Sequence, residues 1–191
     1  MKTFYTSDLH FFHKNIIDYC NRPYRTLDGH PDVKAMHADL IAKWNSVVGH
    51  DDVVYHLGDF GFGDPHGLNR IRHALNGKVV WIKGNHDKRL GKIALPKDEI
   101  VDGHVLIRDN LVMCHYPPTD HAGMHHWESS GQYYLCGHVH EKWTHQGSYI
   151  INVGCDVWGY TPRTLEELVA ILPKKPALIR GILSSPTPTS Q

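Results

Sequence analysis

Five short apolar runs in this chain each stop at a residue able to hold a metal ion or move a proton, and that recurrence narrows the fold more than any other feature. Residues 1–6 lead to Asp8-Leu9-His10, 52–57 to Gly58-Asp59, 78–83 to Gly84-Asn85-His86-Asp87, 111–114 to His115, and 133–136 to Gly137-His138-Val139-His140. The runs are β-branched and aromatic, and they break at polar or glycine residues, so each reads as a strand. In α/β sheets the carboxyl ends of strands face a common crevice, where segments remote in sequence converge. A lone Asp-x-His or His-x-His pair carries little information. Five such residues, each placed directly after a strand, point to a single site.

The segments between the first three runs are helical. Residues 32–48 carry Val33, Met36, Leu40, Ile41 and Trp44 at helical spacing, with Pro31-Asp32 as the start. Residues 68–75 form a second helix ended by Asn76-Gly77. The resulting βαβαβ rhythm implies parallel strands. After Pro96 the texture changes to short runs at 99–107, 111–114, 133–136 and 148–153, broken by turn pairs such as Asp109-Asn110. These predict a second, more antiparallel sheet. Residues 164–172 form a helix opened by a capping box of Thr164 with Glu167 and closed by Pro173. The expected organisation is one domain over 1–172 and a C-terminal extension over 173–191, rich in Pro, Ser and Thr and partly mobile.

Composition removes several functional classes. Twenty basic and twenty acidic residues give a formal charge of zero, without the global basic excess that marks nucleic-acid or anionic-membrane proteins. No stretch approaches the roughly 20 apolar residues of a membrane span, and a cytoplasmic protein is expected. The four cysteines, at 20, 114, 136 and 155, form no CxxC pair, so they read as reduced thiols rather than a zinc knuckle or disulfide framework. Cys114 and Cys136 read as small buried hydrophobes in strands. Histidine is unusually abundant, at 17 copies, and neutral imidazole is the commonest protein metal ligand.

The motifs DLH, GD, GNHD, H and GHVH, in this order, resemble the signature of the calcineurin-like metallophosphoesterase family over residues 1 to about 172. Asn152-Val153-Gly154 is also similar to small bacterial and phage members. The resemblance implies an α/β fold of two mixed β-sheets packed as a sandwich and flanked by helices. It implies that Asp8, His10 and His140 hold one divalent metal, that Asn85, His115 and His138 hold a second, and that Asp59 bridges the two. Anions between the ions are physically required, since two dications roughly 3.5 Å apart repel by about 19 kcal/mol at an effective dielectric near 20. Asp59 and a bridging hydroxide supply them, leaving a site with net positive charge that suits a phosphate. Four histidines and an asparagine favour manganese first, and iron, zinc, nickel or cobalt after it, over magnesium or calcium. His86 matches the family's general acid, a role that suits an imidazole titrating near neutrality; the alternative is a donor that orients substrate.

The chain departs from the family at one motif. Protein phosphatases carry GDxxDRG where residues 58–64 here read GDFGFGD, so the Asp and Arg that orient the acid and grip phosphate are missing. Asp64 and Asp87 are substitutes for the orienting carboxylate or simply loop caps. This departure disfavours protein phosphatase activity and favours phosphodiesters over monoesters. Residues 11–30 and 116–131 are the expected pocket rims, offering His13, Lys14, Asn15, Arg22 and Arg25 from the first and His121, His125, His126 and Trp127 from the second as substrate contacts. The expected partner is a small phosphate ester, a nucleotide included. A nuclease using the same site and a non-catalytic metal-binding module are the alternatives, and no membrane partner is expected.

Overall fold

Two sheets form in chain order in this computed structural model, which describes residues 1–101, 105–108, 110–118 and 132–173. The first contains β1 (Thr3–Thr6), β2 (Val53–His56), β3 (Lys78–Trp81) and β4 (Glu99–Ile100), ordered β1-β2-β3-β4 and parallel throughout. The second contains β5 (Val105–Arg108), β6 (Leu111–Cys114), β7 (Tyr133–Cys136), β8 (His145–Gln146) and β9 (Ile150–Asn152), ordered β5-β6-β7-β9-β8. The predicted sandwich is present, but its first sheet is parallel rather than mixed. In the second sheet only the outer pairs, β5 with β6 and β8 with β9, are antiparallel, while β6, β7 and β9 run parallel. The carboxyl ends of three strands in each sheet therefore share one edge of the sandwich.

Alternation along the strands sorts the side chains into layers. Phe4, Val54, Val79 and Trp81 point outward and pack under helices α1 (Ile16–Tyr19), α2 (Val33–Val47) and α3 (Pro65–Ala74), meeting Ile17, Met36, Leu40, Trp44 and Leu68. Tyr5, Tyr55 and Val80 point the other way and face Leu111, Met113, Leu135 and Ile151 between the sheets. The rings of Tyr5 and Tyr55, paired in register, stack at 5.4 Å. Helix α4 (Leu165–Ala170) closes this inner layer with Leu165, Leu168 and Val169, and its capping box of Thr164 and Glu167 forms as expected. Cys114 and Cys136 are buried on the far face of the second sheet, and all four cysteines are free thiols.

Two expectations shift. Helix α3 begins at Pro65 with Asp64 as its cap, because a capping Asp followed by Pro at the first position outweighs the interior Gly67. Residues 11–30 are not merely a rim, since Phe11, Ile16, Ile17 and Tyr24 are core residues. The extension over 174–191 lies outside the described residues, and no helix among those described is long and apolar enough to cross a membrane.

His56, at the end of β2, is fully buried against Phe60 and Trp81 with neither ring nitrogen hydrogen-bonded. Burial, with a smaller contribution from His115, pushes its imidazole down to about 3 from 6.5. The unfolded chain therefore binds a proton at this residue below about pH 6.5 that the folded chain refuses until about pH 3, and stability falls as pH drops through that window. This one group costs about 2 kcal/mol between pH 7 and 5. Chemical denaturation at both pH values should show a smaller acid loss for His56→Phe than for the parent. Equal losses would assign the acid sensitivity to other groups.

Candidate metal centre

The loops at the shared carboxyl edge are stitched together by backbone. Asp8 N donates to Gly58 O at 3.0 Å, His10 N to Asp59 O at 3.1 Å and Cys155 N to Ser7 O at 3.0 Å, while Ser7 also bridges to Gly154 across the sheets. The first sheet brings Asp8, His10, Asp59, Asn85 and His86 to this edge, and the second brings His115, His138 and His140. Five of these residues, Asp8, His10, Asp59, His138 and His140, have positive φ, between 49° and 69°. That conformation is uncommon for non-glycine residues and persists where surrounding structure enforces it. Glycines allow the close approach. A Cβ at Gly84 would meet Asp59, and one at Gly137 would meet Ser7 Oγ and Asp8 Oδ2.

Asp59 Oδ2 occupies the middle of the cluster, 3.6 Å from His10 Nε2, 3.5 Å from His115 Nε2 and 3.9 Å from His86 Nε2. Its Oδ1 accepts from His86 N at 3.0 Å, tying the His86 backbone to the centre. Asp8 Oδ2 accepts from Ser7 Oγ at 2.6 Å and His138 N at 3.0 Å, while Oδ1 lies 3.9 Å from His10 Nε2 and 4.0 Å from His140 Nε2. Burial raises the Asp8 carboxyl above the usual range, against the opposing pull of His115 and His140.

The proton positions decide what such a cluster accepts. His115 Nδ1 lies 2.9 Å from Leu57 O, which can only accept, so Nδ1 carries the proton. Its Nε2 lone pair then faces Asp59 Oδ2 and, at 3.1 Å, Asn85 Oδ1. His140 Nδ1 donates to Asp156 Oδ2 at 2.9 Å by the same logic, leaving the Nε2 lone pair toward Asp8. Both ring nitrogens of His10 are buried without a hydrogen-bond partner, and burial together with the nearby His140 and Arg22 pushes its imidazole far down, into the neutral form a metal requires. The Nε2 atoms of His115 and His140 and the unpartnered ring of His10 thus converge on the carboxylate oxygens of Asp8 and Asp59, an arrangement that a cation satisfies. Donor atoms of Asp8, His10 and His140 fall within 4.8 Å of one another, as do those of Asp8, Asp59 and His115. The donor set fits divalent ions.

Several supporting residues carried no ligand-like pattern. Asp87 accepts from Asp59 N at 2.6 Å, Gly84 N at 2.9 Å and Phe60 N at 3.0 Å, pinning two ligand loops together, and Asp64 caps α3. Both are caps rather than carboxylates oriented on His86. Arg22 does not face the crevice. Its guanidinium is 1% exposed and donates to Leu9 O at 2.9 Å, Asp8 O at 2.8 Å and both Asp156 oxygens at 2.7 and 3.0 Å. It underpins the first ligand loop and fixes the carboxylate that orients His140. Arg22 and His140 hold Asp156 below the usual carboxylate range although burial opposes it. Asn152, fully buried, donates to His140 O at 2.7 Å.

Of the predicted rim residues, His13 is half-buried, with its ring 4.2 Å from that of Phe62 and 5.4 Å from that of His10. Arg25 pairs with Asp18 at 2.7 Å and donates to Gly29 O. His121, His125, His126 and Trp127 lie outside the described residues.

Comparison with known proteins supplies relatives. The calcineurin-like phosphoesterase superfamily domain matches residues 1–171. An uncharacterised protein of Methanocaldococcus jannaschii is 31% identical, over 91% of this chain and 92% of its own length. The gene 66 protein of Mycobacterium phage L5 is 28% identical, over 82% of this chain and 87% of its own. The crystal structure of a protein of unknown function from Aquifex aeolicus superposes with a TM-score of 0.65 at 26% identity, covering 89% of this chain and 98% of that one.

Asp156→Asn tests the support. An amide that offers Nδ1 an N–H forces the His140 proton onto Nε2, where the lone pair stood; the flipped amide sets its N–H against Arg22 Nε. Divalent-metal affinity, read by competition with a chromogenic chelator, should fall at least about tenfold. Unchanged affinity would remove His140 orientation from the account.

Proposed function

The chain belongs to the calcineurin-like phosphoesterase superfamily, and we propose that it hydrolyses phosphodiesters with two divalent metal ions, manganese foremost. Asp8, His10 and His140 would hold one ion and Asn85, His115 and His138 the other, with Asp59 between them. The observation that carries this reading is the convergence of histidine nitrogens, the unpartnered ring of His10 above all, on two buried carboxylates. Bound there, the ions would offset the phosphate charge, orient the ester and make water acidic enough to act as a nucleophile near neutral pH.

The chain's own residues do the rest. His86 has a half-exposed ring whose Nε2 is 3.9 Å from Asp59 Oδ2, while its backbone is held by Asp59 Oδ1. It therefore stands where a departing oxygen can take its proton. In the segment after the first motif, Arg22 is committed to Asp156 and two carbonyls and Arg25 to Asp18 and the Gly29 carbonyl, so neither guanidinium is free to grip a phosphate. A monoester dianion gains more from such a grip than a diester monoanion does, which favours diesters.

The test is turnover by metal-stripped protein reconstituted with manganese, on a chromogenic phosphodiester and the matching monoester. Diester turnover should exceed monoester turnover at least about tenfold. His86→Ala should lower kcat about 10²- to 10⁴-fold with a smaller change in KM, and Asp59→Asn should abolish metal-dependent turnover. A monoester preference would overturn the diester reading, and a His86→Ala enzyme of unchanged kcat would remove the general acid.

A further inference from the structure

Beside the ligand cluster opens a cleft of about 360 Å³ whose wall includes Phe62, Gly63, Asn85, His86, Lys88 and Arg89. Three features give it a chemical character. Phe62 is 40% exposed although its ring lies 4.2 Å from that of His13 and 4.4 Å from that of His86, so the part left open is an aromatic edge at the entrance rather than a core surface. Arg89 reaches across the cleft, its Nη1 donating to Gly63 O at 3.1 Å, which holds a guanidinium next to the residue that follows Phe62. Neither Arg89 nor the exposed Lys88 pairs with a carboxylate among the described residues, although the chain as a whole is charge-balanced. An exposed aromatic edge beside two cations that have no carboxylate partner is a pairing that can hold a base and a phosphate together.

His86 links the cleft to the chemistry. It faces Asp59 on one side and forms cleft wall on the other. We propose that the cleft is the leaving-group subsite and that it takes a nucleotide, with the base against the exposed edge of Phe62 and a second phosphate on Lys88 and Arg89. This rests on the diesterase reading in one respect, that His86 protonates the departing oxygen. In the balanced step, a water oxygen bonds to phosphorus and the P–O bond to the cleft-side group breaks. The departing oxygen takes the His86 proton, and the proton lost by water restores that imidazole. One water is consumed, and one alcohol and one phosphomonoester are released. A volume near 360 Å³ accommodates one nucleotide unit, not a duplex.

Calorimetric binding to the manganese-loaded full chain tests the subsite without relying on turnover. The probes are thymidine 3′,5′-bisphosphate, thymidine 5′-monophosphate and ribose 5-phosphate. The bisphosphate should bind at least about tenfold tighter than the monophosphate, and the monophosphate at least about fivefold tighter than ribose 5-phosphate. Lys88→Gln combined with Arg89→Gln should bring the first ratio close to one, and Phe62→Ala the second. Ratios near one in the parent protein, or ratios that survive these substitutions, overturn the subsite. A chromogenic diester assayed in parallel separates the two claims. Substitution-sensitive ratios without turnover keep the subsite and sink the hydrolase reading; turnover without the ratios does the reverse.

Discussion

The backbone pairing that joins the two sheets at their carboxyl edge, Ser7 against Gly154 and Asp8 against Gly58, is the constraint on which the site depends. Parallel strands on both sides aim their carboxyl ends at this seam, and after β1, β2 and β7 the chain passes through left-handed residues, Asp8, Asp59 and His138, at the ligand positions. The strain is tolerated because neighbouring loops fix it from outside: Asp87 gathers three amides from two loops, and Arg22 takes two carbonyls from the first. Such a seam presents ligands at defined positions before any ion arrives, which spares the metal the cost of ordering them.

The electrostatics of the seam are unbalanced without a cation. Asp8 and Asp59 are buried together, the His10 ring between them is held neutral by its burial, and the outer nitrogens of His115 and His140 are taken up by acceptors on their far sides. Arg22, a permanent positive charge beneath the first ligand loop, is paired with Asp156. Positive charge from bound ions would resolve the conflict and at the same time create an anion-attracting mouth. The unpaired cations of the adjoining cleft extend that attraction beyond the reacting phosphate.

The parts of this arrangement legible in the sequence were those carried by local pattern. Strand ends can be read because apolar β-branched runs stop where the ligand-type residues begin, and α4 can be read from its capping box. Strand direction in the second sheet was not legible, since an apolar run looks the same whichever way it is paired. Asp156 and Arg22 were missed or misassigned for a different reason. Their contact spans 134 positions, and a polar segment that folds beneath a loop has the same composition as one that lines a rim. Phe62 was passed over because a phenylalanine between glycines reads as core until its exposure is known.

Anomalous diffraction from crystals grown with manganese addresses the centre most directly. Two peaks per chain are expected, one bounded by Asp8, His10 and His140 and the other by Asn85, His115 and His138, with Asp59 touching both. A single peak, or density bound away from Asp59, would contradict a bridged pair of ions and leave the convergence of these side chains without the chemistry assigned to it.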